Sequence, residues 1–336
     1  MSLFFCFDEL SGKYNVINLQ EISNMFKFEY ILAASAVFLA ADAHALLYSA
    51  GRVGATEDEK NLKWSDCKWY SNMDFETKAN PGKPGPSDIV GVRFGGYSLL
   101  IDSDVNAASF MVTDNSKATA EGRNIKLKRD LRISIGMSQN SHTKAIFKGC
   151  NIDLGGAVTL AFWDQARAAG LATLDLENTK LTARGDLVVT IPANGRFTNK
   201  TRAGFIMALA GKSQVFFGGG ALIDSIITEL PKEWMVAFKF SAKEGSAPTL
   251  IFAKNANLNG CTFEIECDGS LKPGKYTLLE LQNPKSVISP YALSFNGKPY
   301  TFGDTVSAGG KTLKAYLGAA GKDAKTANDI ILEVLK

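Results

Sequence analysis

From Asp88 onward, short apolar runs alternate with clusters of Gly, Asn, Asp and Lys. The runs fall at 89–92, 98–101, 109–112, 125–127, 131–135, 145–147, 158–162, 173–176, 187–191, 214–217, 235–240, 249–252, 262–265 and 276–281. Most alternate apolar with polar positions and are rich in Val, Ile, Thr and Phe, the pattern of half-buried strands. Helical periodicity is scarce. Residues 166–171 predict a single turn, and 221–230, closed by Pro231, predict one short helix. No stretch between runs is long enough for regular crossover helices, which excludes an alternating α/β fold. Two all-β architectures meet this description: a sandwich, and a parallel β-helix with coils of roughly 20–25 residues. Residues 178–187 and 255–260 favour the second, because an Asn corner precedes an inward Leu and Asn tolerates left-handed φ.

The N-terminus has a different character. Met25-Phe26-Lys27 leads into an apolar run over 30–41, and Asp42-Ala43-His44-Ala45 places small residues where a signal peptidase reads them. This predicts a secretory signal over 25–45, cleaved between Ala45 and Leu46. The run is shorter than the roughly 20 apolar residues of a membrane span, so no transmembrane anchor is expected in the mature chain. Residues 1–24 carry Asp8, Glu9 and Glu21, a poor start for a signal, and read as start-site excess. The organisation expected is therefore 1–24 excess, 25–45 signal, 46–87 N-terminal cap, and 88–336 body.

Composition changes this picture little. The 336 residues are 46% hydrophobic and 21% charged, which excludes a disordered or collagen-like chain. Residues 1–45 carry Lys13 and Lys27 against Asp8, Glu9, Glu21, Glu29 and Asp42, a balance of −3, so their removal takes the formal charge from +3 to +6. A basic mature chain suits acidic partners such as polyanionic polysaccharide. The one dense basic cluster, Lys126-Leu127-Lys128-Arg129, lies in a strand pattern without stacked aromatics, so nucleic acid is not an expected partner.

The exported part keeps Cys67, Cys150, Cys261 and Cys267, an even number that permits two disulfides. Cys261 and Cys267 flank a strand pattern about 20 Å long and are not expected to pair with each other. A zinc site is disfavoured by spacing and by histidine supply, since only His142 follows Ala45. His142 is expected in an exposed loop. Three carboxylate pairs, Asp102 with Asp104, Asp175 with Glu177 and Glu264 with Glu266, have the i, i+2 spacing that puts both acids on one face of a strand. Any wet strand face has the same spacing. Asp102 and Asp104 could contribute to a calcium site, without a visible full ligand set. A β-helix lyase would need such acids beside a base such as Arg132, Lys148 or Arg184. The glycine runs at 95–96, 155–156 and 218–220 lack the Lys-Ser/Thr of a phosphate loop and read as tight corners. Trp64, Trp69, Tyr70, Trp163 and Trp234 are candidate sugar-stacking residues, with core or end-cap packing the alternative for Trp64 and Trp69. No catalytic residue is assigned.

A resemblance joins several of these stretches. Trp64-Ser-Asp-Cys-Lys-Trp69, Asn80-Pro-Gly-Lys-Pro-Gly-Pro-Ser-Asp-Ile-Val90 and Leu99-Leu-Ile-Asp-Ser-Asp-Val-Asn-Ala-Ala-Ser-Phe110 resemble the opening of bacterial exported β-solenoid proteins, similar to autotransporter passenger domains and their associated β-strand repeats. Residues 172–189 resemble one rung, and Gly274-Lys-Tyr-Thr-Leu-Leu-Glu-Leu281 a strand near the end. The similarity covers scattered parts of 64–281, and no membrane barrel pattern follows it. It implies a single-stranded right-handed parallel β-helix (solenoid) behind an N-terminal signal helix; a β-sandwich is the alternative. It also implies a surface, periplasmic or extracellular setting with structural or adhesive rather than enzymatic duty. A polysaccharide-active lyase or glycoside hydrolase, and a carbohydrate-binding module, are the alternatives. No cofactor is expected beyond the calcium option.

Overall fold

Strict alternation dictates the strands. Along Ser141–Lys148 and Gly170–Glu177, every second residue is buried and the residues between are not. Only an extended backbone produces that period of two. The computed structural model describes residues 4–8, 13–17, 47–50, 60–71, 79–80, 83–92, 96–135, 141–162, 170–190, 203–223, 234–319 and 328–335. The chain divides into two units, Met1–Ala45 and Leu46–Lys336. In the first, Phe4–Asp8 pairs antiparallel with Lys13–Ile17. The signal segment read at 25–45, the cleavage point at Ala45 and Leu46, and Trp163 lie outside the described residues.

The second unit is all-β among the described residues and is built on three parallel sheets. The chain visits them in turn, so from Ile89–Val92 to Thr249–Phe252 each strand pairs with one three places away; beyond that only the second and third sheets continue and partners are two places apart. Five successive strands of the first sheet are Ile89–Val92, Ser109–Thr113, Leu131–Ile135, Val158–Phe162 and Leu187–Thr190. The second runs through Ser98–Ile101, Lys117–Glu121, Ser141–Lys148, Gly170–Glu177, Ala203–Ala210, Trp234–Ala242, Thr262–Cys267 and Ala292–Phe295. The third runs through Val105–Ala107, Asn124–Leu127, Asn151–Leu154, Lys180–Ala183, Gln214–Phe217, Thr249–Phe252 and Gly274–Leu281. Beyond it, Asp329–Val334, Lys311–Gly318 and Thr305–Ala308 add on antiparallel. Parallel pairing throughout the circuits is incompatible with the antiparallel sandwich. The step per circuit lengthens from Leu99–Ala118 to Leu174–Met207, past the roughly 20–25 residues expected.

Two expected helical pieces need correction where they are described; residues 224–230 and 166–169 of them lie outside the described residues. Ala221–Ile223 is a strand of the first sheet, paired with Leu187–Thr190, so no helix begins there. Gly170 and Leu171 belong to a strand of the second sheet and not to a turn. In both places sheet pairing overrides weak local propensity.

The core lies between the sheets as columns of like residues. Phe238 and Phe263 sit opposite each other in register and stack at 5.6 Å, and Phe217 stacks on Phe252 at 5.1 Å. In-register parallel pairing brings equal side chains face to face at strand spacing, which favours such offset stacks.

The corners between the second and third sheets repeat one device. Gly122, Gly149, Asn178 and Gly211 occupy it in successive circuits, each with positive φ. Asn178, at φ 50, takes the corner position expected of it. Just inside, hydroxyls replace the missing ladder bonds. Thr179 Oγ1 donates toward the Phe147 and Glu177 carbonyls and accepts from the Cys150 amide. Ser213 Oγ accepts from the Thr179 amide in turn and donates to Leu176 O and Ala210 O. Replacing Thr179 by Val removes these bonds inside a fully buried site. The expected loss is about 2 kcal/mol of unfolding free energy, read from urea melts; an unchanged midpoint would show that the hydroxyl column contributes nothing.

Candidate functional site

The outer face of the second sheet gathers most of the candidate acids, and register decides their fate. Asp175 pairs with Lys144 at 2.7 Å, and Glu177 with Lys148 at 2.8 Å. Glu264 pairs with Lys239 at 2.6 Å, and Glu266 with Lys243 at 2.8 Å. Three of the bridges join adjacent strands, Lys243 stands one residue past the end of Trp234–Ala242, and Ser241 Oγ also donates to Glu266. The Lys243 ammonium holds Glu266 below the usual carboxylate range, and the bond to Glu177 raises Lys148. The i, i+2 acids do share a face, as expected, yet each carboxylate is matched by a cation one strand away. A general acid needs the opposite setting, desolvated and unpaired, so that its pKa rises.

Asp102 and Asp104 lie in the corner after Ser98–Ile101 and not on a strand. Asp102 reaches back one circuit, accepting from the Ser65 amide at 2.9 Å and the Ser65 hydroxyl at 2.6 Å. Asp104 reaches forward, accepting from the Asn124 amide at 2.9 Å and from Asn124 Nδ2 at 3.1 Å. Every carboxylate oxygen of the pair therefore takes a bond from a corner. Among the described residues no group of three or more His, Cys, Asp or Glu side chains is arranged to hold a metal.

These caps carry a pH signature. The Ser65 hydroxyl chiefly holds Asp102 below the usual carboxylate range, and the Asn124 amide does the same for Asp104. A folded-state value below the unfolded one means stabilisation that is present above the unfolded pKa of about 3.9. It is lost as pH falls through the folded value. Asp102→Ala is therefore expected to lower the urea midpoint near about pH 6 and to match wild type near about pH 2. A gap of equal size at both pH values would show that the ionised cap is not the cause.

The remaining candidates are scattered. Trp64 and Trp69 are 6% and 2% exposed and meet edge to face at 4.9 Å, with Phe110 6.3 Å from Trp64. They are core residues at the N-terminal end, so neither indole face is offered to a sugar. His142 is exposed, but on a strand opposite Leu171 and not in a loop. Lys148 is ion-paired on the second sheet. Arg132 lies on the first sheet, its Nε donating to Ser134 Oγ at 3.0 Å and its pKa lowered by burial. Arg184 stands at the corner after the third sheet. The three cations named as possible lyase bases thus occupy three different places.

None of the four cysteines Cys67, Cys150, Cys261 and Cys267 is joined in a disulfide. Cys150 precedes Asn151–Leu154, and Cys267 ends a strand four strand-steps further along the second sheet. Four steps correspond to about 19 Å, beyond the reach of a disulfide. Burial pushes the Cys261 thiol up to about 12 and raises Cys150 and Cys267. These thiols behave as core residues, not nucleophiles.

One arrangement escaped the sequence reading. In the corner between the third and first sheets, backbone bonds set Lys128, Gly155, Arg184, Gly218 and Ala253 in one file. Arg129, Gly156, Gly185, Gly219 and Lys254 form the file beside it. The Lys126–Arg129 cluster and the glycine runs are visible separately in the sequence, but nothing local announces that Arg184 continues the file of Lys128 and Lys254 the file of Arg129. The glycines are corner residues, as expected. A Cβ on Gly156 would meet Asp130 Oδ1 at 2.1 Å, and one on Gly155 would meet the Lys128 carbonyl oxygen at 2.1 Å.

No family model, curated protein or solved structure matches the chain. Among the described residues no helix is long and apolar enough to cross a membrane.

Proposed function

We propose that the three sheets wind as one single-stranded, right-handed parallel β-helix, and that this solenoid is a non-enzymatic structural or adhesive element exported to the cell surface or beyond. From Ile89–Val92 to Thr249–Phe252 each strand pairs with one three places away, as such winding requires, and the right hand follows the general preference of parallel crossovers. The autotransporter-like resemblance over 64–281 and the signal read at 25–45 support the setting. The observation that carries the role is the state of the acids. Asp175, Glu177, Glu264 and Glu266 are matched to lysines on or just past neighbouring strands, and Asp102 and Asp104 are consumed as corner caps. Charges placed this way hold register between circuits and leave a neutralised outer face.

The test incubates the purified full chain with acidic and neutral polysaccharides, with and without calcium, and follows new reducing ends or unsaturated products. Intact polymers are expected. Cleavage would overturn the non-enzymatic role in favour of a lyase or hydrolase on the same scaffold. N-terminal sequencing of the exported protein is expected to start at Leu46; an intact Met1 would refute the signal.

A further inference from the structure

We propose that the corner joining the third sheet to the first is a docking track for an elongated acidic polysaccharide, gripped by Lys128, Arg184 and Lys254. This deepens the surface-protein reading above and rests on it. The corner has a regular grammar. Lys128 and Arg129 open one row, Gly155 and Gly156 the next, then Arg184 and Gly185, then Gly218 and Gly219, then Ala253 and Lys254. Neighbouring rows are one strand apart, so the cation-bearing rows recur about every 10 Å along the sheet. Between them stand rows of glycine.

Close packing compels those glycines. A Cβ on Gly219 would meet Asp186 Oδ1 at 2.0 Å, and one on Gly220 the Asn255 carbonyl oxygen at 1.8 Å. The result is a band two residues wide, with exposed cations in alternate rows separated by bare backbone, along which an extended chain can lie from one cation to the next. Lys180, exposed on the adjoining outer face of the third sheet, adds positive charge there, while Lys126 on the same face stands opposite Asp153.

The charge state of this corner differs from that of the second sheet. There each lysine named above is bonded to a carboxylate. Among the described residues, Lys128, Arg184 and Lys254 lie in no ion pair, and all three are exposed. The carboxylates in the same corner are turned to other work. Asp130 Oδ1 accepts from the Ala157 amide and Asp186 Oδ1 from the Gly220 amide, both at 2.6 Å. Cations left unmatched at regular intervals complement a polymer that carries anions along its length, because several weak contacts on one chain add through effective concentration. Asn151 and Gln214 flank Lys180 on the same face and offer amides to sugar hydroxyls. A series of exposed aromatics, which a single-stranded nucleic acid would use for base stacking, is not part of this face among the described residues; Phe216 stands alone.

The experiment uses the full chain, K128S/R184S/K254S, and a control, K272S/K285S/K298S, which removes the same charge from exposed lysines elsewhere. Binding to immobilised polygalacturonate, dextran and duplex DNA is measured at low and high salt, with circular dichroism and urea melts confirming that both variants fold. Wild type is expected to bind polygalacturonate in a salt-sensitive manner and to ignore dextran. The track variant is expected to lose about tenfold or more in affinity, and the control less than about twofold. Equal losses in both variants would reduce the effect to net charge and overturn the track. So would failure to bind polygalacturonate, or tighter binding of DNA through the same three residues. Cleavage of polygalacturonate, with binding still dependent on the three cations, would sustain the track and overturn the non-enzymatic role instead.

Discussion

Gly220→Ala is expected to destabilise the protein by about 3 kcal/mol, although it adds a single methyl group. That methyl would sit 1.8 Å from the Asn255 carbonyl oxygen and 2.7 Å from its carbon. The obstacle is backbone, so no rotamer change relieves it. Gly220 is also bonded on both sides: its amide donates to Asp186 Oδ1 at 2.6 Å, and its carbonyl accepts from the Leu187 amide at 2.9 Å. Any shift that clears the clash disturbs one of these. Gly122→Ala is the matched comparison. A Cβ there has nothing within 4 Å, and only its φ of +62° opposes substitution, a cost of about 1 kcal/mol. Urea melts of the two variants should therefore separate by about 2 kcal/mol. Equal midpoints would mean that the corner has room the geometry denies.

Phe240→Ala is expected to cost about 4 kcal/mol. Phe240 is 0% exposed and lies in register between Leu209 and Ile265, inside a column of large apolar residues. Parallel strands above and below hold the backbone, so the cavity left by the ring cannot collapse. Phe240→Leu, which keeps most of the volume, should cost about 1.5 kcal/mol or less. Phe216→Ala tests the same chemistry on the outer face, where the side chain is 36% exposed, and should cost less than about 1 kcal/mol. If Phe216→Ala proved as damaging as Phe240→Ala, the assignment of inner and outer faces would be wrong.

Together these substitutions separate two sources of stability. The columns supply apolar burial, and the corners supply backbone satisfaction at sites where strand pairing stops. The acid-sensitive caps at Asp102 and Asp104 and the hydroxyls of Thr179 and Ser213 belong to the second class. The proposed track follows from the same corners. A turn short enough to stack on its neighbours repeats at strand spacing, so whatever it exposes repeats as well.

Much of the strand content was legible because an inward Leu, Ile, Val or Phe every second residue is a local signal. Residues 89–92, 98–101, 131–135, 158–162, 214–217 and 249–252 coincide with observed strands. Lys117–Glu121 was missed because its inward residues are Ala118 and Ala120, too small to register as apolar. Val105–Ala107 is too short to show alternation, and Asn151–Leu154 offers only Ile152 and Leu154 as apolar residues. His142 was misplaced because a polar strand end looks like a loop until its partner, Leu171, is known.

For the candidate site the division is sharper. The i, i+2 spacing of the acids, the corner role of Asn178 and the tightness of the glycine runs are properties of a few consecutive residues, so the chain alone determined them. Which cation faces which acid, whether Trp64 and Trp69 are buried, and whether Lys128, Arg184 and Lys254 fall in alternate rows of one corner depend on register between strands far apart in sequence. Register is set by the lengths of the connections and by the packing of the inner columns. Only the tertiary structure decided it, because no local run of residues encodes how many residues pass before the chain returns to the same sheet.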